Sequence, residues 1–145
     1  MTTPAYDTTN VFARILRGEL PAHTVHEDAS TLAFMDIMPR TDGHALVIPK
    51  AHVRNILDAT PEQLAAVAKT TQLVARASMQ AFAAHGITVQ MANEPAGGQV
   101  VFHLHVHVLP RWEGVRLKPH TGEMERPEIL AANADKIRKA IASLR

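Results

Sequence analysis

The stretch QVVFHLHVHVLPRW, residues 99–112, sets histidines 103, 105 and 107 at alternate positions in a run of valine, leucine and phenylalanine. Alternation of this kind is the mark of a strand, where residues two apart point the same way. The VFHLHVHVL segment is therefore read as a strand with His103, His105 and His107 on one face and Leu104, Val106 and Val108 on the other. At about 3.3 Å of rise per residue the imidazoles would stand roughly 7 Å apart. A strand that gives three in-register positions to imidazoles must bury them with partners or present them to a ligand.

The flanking sequence builds the rest of a sheet. VFARILRGELP reads as a short helix with Val11, Phe12, Ile15 and Leu16 at helical spacing, closed by Gly18. HTVHED, TLAFMD and GHALVIP read as an antiparallel meander, and ITVQMA as a further strand joined to the histidine strand by NEPAGGQ. Thr60, Pro61 and Gln63 form a capping-box start for a long helix of about six or seven turns, with Gly86 as its left-handed stop. Glu62, Lys69 and Arg76 mark a narrow polar stripe on that helix. A final helix from Pro127 to Leu144 carries Leu130, Ala134, Ile137, Ile141 and Leu144 on one stripe. The expected class is α+β: a mostly antiparallel sheet with packed helices, in one domain spanning residues 1–145. Residues 1–10 are expected to be loose, and residues 113–145 to form a C-terminal extension.

Composition removes several chemistries. Fifteen basic and fourteen acidic residues leave a formal charge of +1, so nothing general favours nucleic acid or an anionic membrane. Cysteine is absent, which excludes disulfides, a thiol nucleophile and thiolate-bound metal. No apolar run is long enough to span a bilayer, and the cytoplasm is the expected compartment.

Three readings of the histidine row remain. Satisfied or surface imidazoles are the bland one. A metal site is the second; a 7 Å row, by about the same strand rise, lets two neighbours share an ion, but no Asp, Glu or Cys lies within the strand to complete the shell. The third is chemistry at phosphorus. A neutral imidazole, with an ordinary pKa of about 6.5, is a nucleophile near neutrality without an activating base. Flanking imidazoles and main-chain amides, including those near Gly97 and Gly98, can hold the phosphate oxygens.

HLHVHVL follows the His-x-His-x-His-x-x pattern, and the chain resembles the histidine-triad (HIT) superfamily of nucleotide hydrolases and transferases. VFARILRGELPA, TLAFMDIMPRTDGHALVIPKAHV and NEPAGGQVVFHLHVHVLPRW resemble that family's blocks in order, over residues 10–112. The resemblance implies that His105 is the nucleophile that takes the nucleotidyl group. His107 and His44 would bond the α-phosphate and the attacking ring, and His103 would fix the loop. It implies Asp36 as the acceptor of the ribose hydroxyls, Phe12, Ile15, Phe34 and Ile37 as the slot for the base, and Asn93, Gly98, Gln99 and Val101 as the wall around the phosphates. His52 is left as an ordinary surface residue, and Trp112 as packing.

The implied function is hydrolysis at the α-phosphorus of a purine nucleotide conjugate, releasing the mononucleotide. The alternative is a nucleotide-sensing or partner-binding module whose hydrolysis is incidental. No cofactor is required, Mg²⁺ entering only beside a polyphosphate substrate. The expected partners are the purine nucleotide and a second copy of the chain, in a twofold dimer through the long helix and the sheet edge, with no nucleic acid or membrane. In many bacterial relatives a C-x-x-C pair supplies half of a structural zinc site; Asn10 and Ala13 stand there here, and no such zinc is expected. The branch that cleaves phosphorus–nitrogen bonds has a hydroxyl residue after the glutamine, where this chain has Val100. Protonation of an amine leaving group therefore lacks its usual helper.

Overall fold

The computed structural model describes residues 4–120 and 122–145. Its elements are α1 (Val11–Leu16), β1 (Thr24–Glu27), β2 (Thr31–Met35), β3 (Ala45–Pro49), α2 (Pro61–Ala81), β4 (Gly86–Gln90), β5 (Val106–Arg111) and α3 (Pro127–Leu144). The five strands form one antiparallel sheet in the order β1-β2-β3-β5-β4, and with its packed helices the class is α+β as read from the sequence.

The two faces of the sheet are covered differently. Val25, Ala33, Met35, Ala45, Val47, Val106 and Val108 point to one side, where Val67, Val74 and Ala77 of α2 and Leu130, Ala134, Ile137 and Ile141 of α3 close the larger core. The opposite face carries Leu32, Phe34, Leu46 and Ile48, covered by Phe12 of α1. Leu46 lies between Phe34 and His107 in the strand registers, so the imidazole of His107 emerges on the α1 face. Among the described residues no helix is long and apolar enough to cross a membrane.

Four sequence expectations are corrected. The strand carrying the histidines begins only at Val106, so His103 and His105 lie in the irregular segment before it and His107 alone is a strand residue. Buried carbonyl and imidazole contacts, described below, satisfy that segment in place of a ladder. The long helix keeps its capping box, with Thr60 Oγ1 accepting from Gln63 N–H and Gln63 Oε1 from Thr60 N–H. It ends, however, at Ala81, and the left-handed residue is Ala83 (φ 47°), while Gly86 opens β4. The exposed side of α2 is broader than a charged stripe, since Ala65, Ala68, Gln72 and Met79 share it with Glu62, Lys69 and Arg76. Leu144, at the end of the α3 stripe, is exposed.

Residues 4–10 are also better placed than their composition suggests. Asn10 caps α1, its Oδ1 accepting from Ala13 N–H at 2.9 Å, and its amide donates to Tyr6 Oη at 2.9 Å.

Gly43 sets the approach to β3. Its φ of 82° lies in the left-handed region, and a Cβ there would stand 2.4 Å from Cε2 of the Phe82 ring. Gly43→Ala is expected to lower stability by about 2 kcal/mol, from backbone strain together with displacement of the ring. Denaturant unfolding measures the loss.

Candidate active site

Four imidazoles meet on the α1 face, and hydrogen bonds from the main chain decide the tautomer of each. Arg40 N–H donates to His44 Nδ1 at 3.1 Å, so the proton of His44 sits on Nε2 and is given to His107 Nδ1 at 2.9 Å. His107 then carries its own proton on Nε2. His103 donates from Nε2 to the Pro49 carbonyl at 2.8 Å, leaving Nδ1 to accept from the Tyr6 hydroxyl. The carbonyl of His103 in turn accepts from His105 Nδ1–H at 2.7 Å. His105 is left with an unprotonated Nε2, the state a nucleophile needs.

Packing holds these rings without charging them. The His105 ring stands edge-on to Phe12, centroids 4.9 Å apart, and to His107 at 5.0 Å. Burial depresses the pKa of His44 to about 3, and those of His103 and His107 to about 4; it lowers that of His105 as well. Unfavourable interaction with the neighbouring imidazoles and with the Arg40 guanidinium adds to the effect on His44 and His107. At neutral pH the cluster is therefore a set of neutral donors around one free lone pair.

The remaining predicted residues divide. Asp36, half-buried at the end of β2, accepts from Met38 N–H through Oδ1 at 2.9 Å, while Oδ2 lies 3.5 Å from His44 Nε2. Since His44 is neutral this is not an ion pair. Burial raises the carboxyl pKa of Asp36. Phe12 and Phe34 pack edge to face at 5.4 Å under the cluster, with Ile15 and Val101 against them. Ile37 is exposed. Gly98, at φ 97°, requires glycine where the loop turns towards the histidines. Asn93 Oδ1 accepts from Ile56 N–H at 2.8 Å.

Gln99 differs most from its predicted part. Its side chain accepts from Asn55 Nδ2 at 3.0 Å and Glu94 N–H at 2.8 Å, and donates to the carbonyls of Arg54 at 2.8 Å and Val101 at 3.0 Å. All four capacities of the amide are used inside the protein, so it braces the loop from within and does not line a phosphate wall.

Several residues of the site were invisible in the sequence pattern. Glu94, strained at φ 65°, takes a fork from Arg54 at 2.7 and 3.0 Å, and the Arg54 guanidinium lies 4.2 Å from the Phe102 ring centroid. Beyond the matched blocks, Lys118 N–H donates to Arg40 O and Arg40 Nε–H to Lys118 O, each at 2.8 Å, while Glu125 N–H bonds Ile37 O at 2.9 Å. These contacts tie the segment before α3 to the loop carrying Asp36 and His44. His52 is exposed but stacks on Tyr6, with centroids 4.5 Å apart and planes 7° from parallel. Trp112 donates to Phe82 O at 3.2 Å, which places it at the end of α2. Paired main-chain contacts of this kind leave no periodic signal.

Asp36, His44 and His107 bring one ligand atom each within 4.8 Å of one another. A cation there would have to displace the proton that joins His44 to His107 and turn His44 Nδ1 against the Arg40 N–H. The donor set thus suits a hydrogen-bonded relay better than an ion. A cavity of about 360 Å³ lies further along the α1 face, between Ile15, Leu16, Leu20 and Leu32 and the Glu27–Lys50 pair.

The family model described as HIT domain matches residues 17–114. The fold is similar to a crystal structure of a Hit-like protein involved in cell-cycle regulation from Bartonella henselae, with a TM-score of 0.90, 50% identity, and coverage of 94% of this chain and 99% of that one. It is also similar to a hypothetical histidine triad nucleotide-binding protein from Sulfolobus tokodaii, with a TM-score of 0.84, 36% identity, and coverage of 92% of each chain. In sequence it is 32% identical to Adenylylsulfatase HINT3 of Arabidopsis thaliana over 122 residues, which is 80% of this chain and 62% of that one.

The depressed imidazole pKa values carry a sign for stability. Between about 4 and 6.5 the unfolded chain binds protons that folded His103 and His107 refuse, and His44 behaves likewise down to about 3. Stability is therefore full above the ordinary histidine pKa and falls as pH drops through this window. A loss of about 7 kcal/mol between pH 7 and 4.5, about 2 or a little more from each of the three rings, is expected from denaturant unfolding, and a His44→Asn variant should lose less over the same range.

Proposed function

The chain belongs to the HIT-domain family, and from that premise we propose that it hydrolyses a purine nucleotide conjugate at the α-phosphorus. The observation that carries the reading is the unprotonated Nε2 of buried His105, fixed by the 2.7 Å bond from Nδ1–H to the His103 carbonyl. In the first step that lone pair forms a bond to phosphorus, and the bond to the leaving group breaks with its electron pair. The ring becomes cationic, and the His103 carbonyl dipole, already aligned with Nδ1–H, stabilises it. In the second step water attacks phosphorus, the nitrogen–phosphorus bond breaks and returns its pair to Nε2, and the mononucleotide and a proton leave. His107 Nε2–H, supported by His44, donates to the phosphate oxygens. Asp36 offers Oδ2 to the ribose hydroxyls, and Phe12, Phe34 and Ile15 face the base. No metal enters the protein's own steps.

The leaving group is better served as an anion than as an amine. Val100, 83% exposed, supplies no hydroxyl beside Gln99, whereas Arg40 brings positive charge to the His44 and His107 side of the site. A phosphoanhydride or sulfo-anhydride leaving group gains from that charge without needing a proton. The adenylylsulfatase relative agrees in kind.

A twofold dimer forms part of the same reading. β4 is an edge strand with Val89 exposed, and the neighbouring outer side of α2 carries Ala65, Ala68 and Met79.

Incubation with adenylyl sulfate, a diadenosine polyphosphate or adenosine phosphoramidate should release AMP, with a transient adenylyl mass on a peptide containing His105. His105→Asn is expected to reduce turnover by about 10⁴-fold or more, and excess chelator to leave adenylyl sulfate cleavage unchanged. Tight AMP binding with no turnover of any conjugate would make the protein a binding module instead. Val89→Lys should shift the mass seen by light scattering from dimer to monomer.

A further inference from the structure

The segment before α1 meets the histidine cluster at one residue. Tyr6 Oη accepts from Asn10 Nδ2 at 2.9 Å and donates its own proton to His103 Nδ1. The phenol ring lies flat on His52 and stands edge-on to His103, with centroids 5.6 Å apart. Asn10 is at the same time the cap of α1, and Arg17 of the following turn donates to Thr8 O at 2.8 Å. Residues 6–10 are thus fastened to the helix whose Phe12 touches the His105 ring.

His103 has no exposed surface and is held from three sides. Pro49 O takes its Nε2 proton, Tyr6 Oη fills its Nδ1, and its carbonyl receives the proton of His105 Nδ1. The last contact decides which nitrogen of His105 is free. Any displacement of the His103 backbone, which the two ring contacts hold in place, is passed to His105 through a single hydrogen bond. Burial raises the pKa of the Tyr6 phenol, so the hydroxyl remains a donor throughout the working range.

We propose that Tyr6 is a positioning residue for the reaction, acting through His103 to fix the aim of His105. The inference rests on the hydrolase reading for its kinetic consequence, but the contact itself is readable without substrate. Nothing in the family-matched blocks contains Tyr6, because the matched region begins at residue 17.

Tyr6→Phe is the direct test, because it keeps the ring on His52 and removes only the hydroxyl. With adenylyl sulfate as the probe, kcat should fall by about tenfold while KM changes by less than about twofold, the pattern of a lost transition-state alignment. Nitrogen-15 spectra of the free protein supply the second arm. In the wild type, His103 should show Nδ1 and His105 Nε2 as the unprotonated nitrogens, and Tyr6→Phe should shift the His103 Nδ1 resonance, which loses its donor, and with it the His105 Nδ1 resonance, whose bond to the His103 carbonyl is loosened. Unchanged kcat in Tyr6→Phe, or a shift at His103 with none at His105, overturns the proposal. Failure of the wild type to cleave any conjugate would count against the hydrolase reading, and the two ring spectra would still decide whether Tyr6 governs His105.

Discussion

The hydrogen bond from His105 Nδ1 to the carbonyl two residues earlier determines which ring nitrogen is available for chemistry. A free imidazole exchanges its proton between two nitrogens, and burial alone would leave it neutral without choosing between them. Here the choice is made by the main chain, and that main chain must itself be immobile. His103 is anchored to Pro49 at the end of β3, Leu104 N–H bonds Val53 O at 2.8 Å, and β5 begins immediately after His105. His105 therefore sits at the junction between an irregular segment and a strand, where a carbonyl is not consumed by a ladder and can turn towards a side chain.

Charge is distributed around this junction in a consistent way. His44, His103 and His105 are buried and His107 half-buried, and all four are neutral, so they act as directed donors and one lone pair, not as a cationic pocket. Positive charge stands outside them, on Arg40, and the carboxylate of Asp36 lies on the side of β2. A nucleotide's phosphate would find its hydrogen bonds inside the cluster and its counter-charge at the rim. This separation keeps the nucleophile unprotonated while anionic oxygens are bound nearby.

Much of this was legible in the residues, and the reasons for the remainder are physical. The meander, the capped long helix and the C-terminal helix follow from periodicity and turn chemistry, and the histidine spacing picked out three of the four imidazoles that meet on the α1 face. The strand start was misjudged because alternation continues through His103 although the backbone there bonds Val53 and the side chains instead of a neighbouring strand. Gln99 was assigned to the substrate because its place in the pattern is next to the phosphates, yet its amide is filled by Arg54, Asn55, Glu94 and Val101, contacts between residues up to 45 positions apart. Tyr6 lay in a polar stretch with no period at all, and only the fold brings it to His103, 97 residues away.

The sheet's pairing is uneven, and this has a mechanical meaning. β4 and β5 match over five residue pairs and β2 and β3 over five, but β3 and β5, like the outer pair β1 and β2, over only three. The β3–β5 seam is thus narrower than the two beside it, and the His44–His107 contact crosses it as a clasp made of side chains. An anion held by both rings would tighten that clasp, so occupancy of the pocket and rigidity of the two halves rise together. Amide exchange in β4 and β5 would then report on occupancy of the pocket.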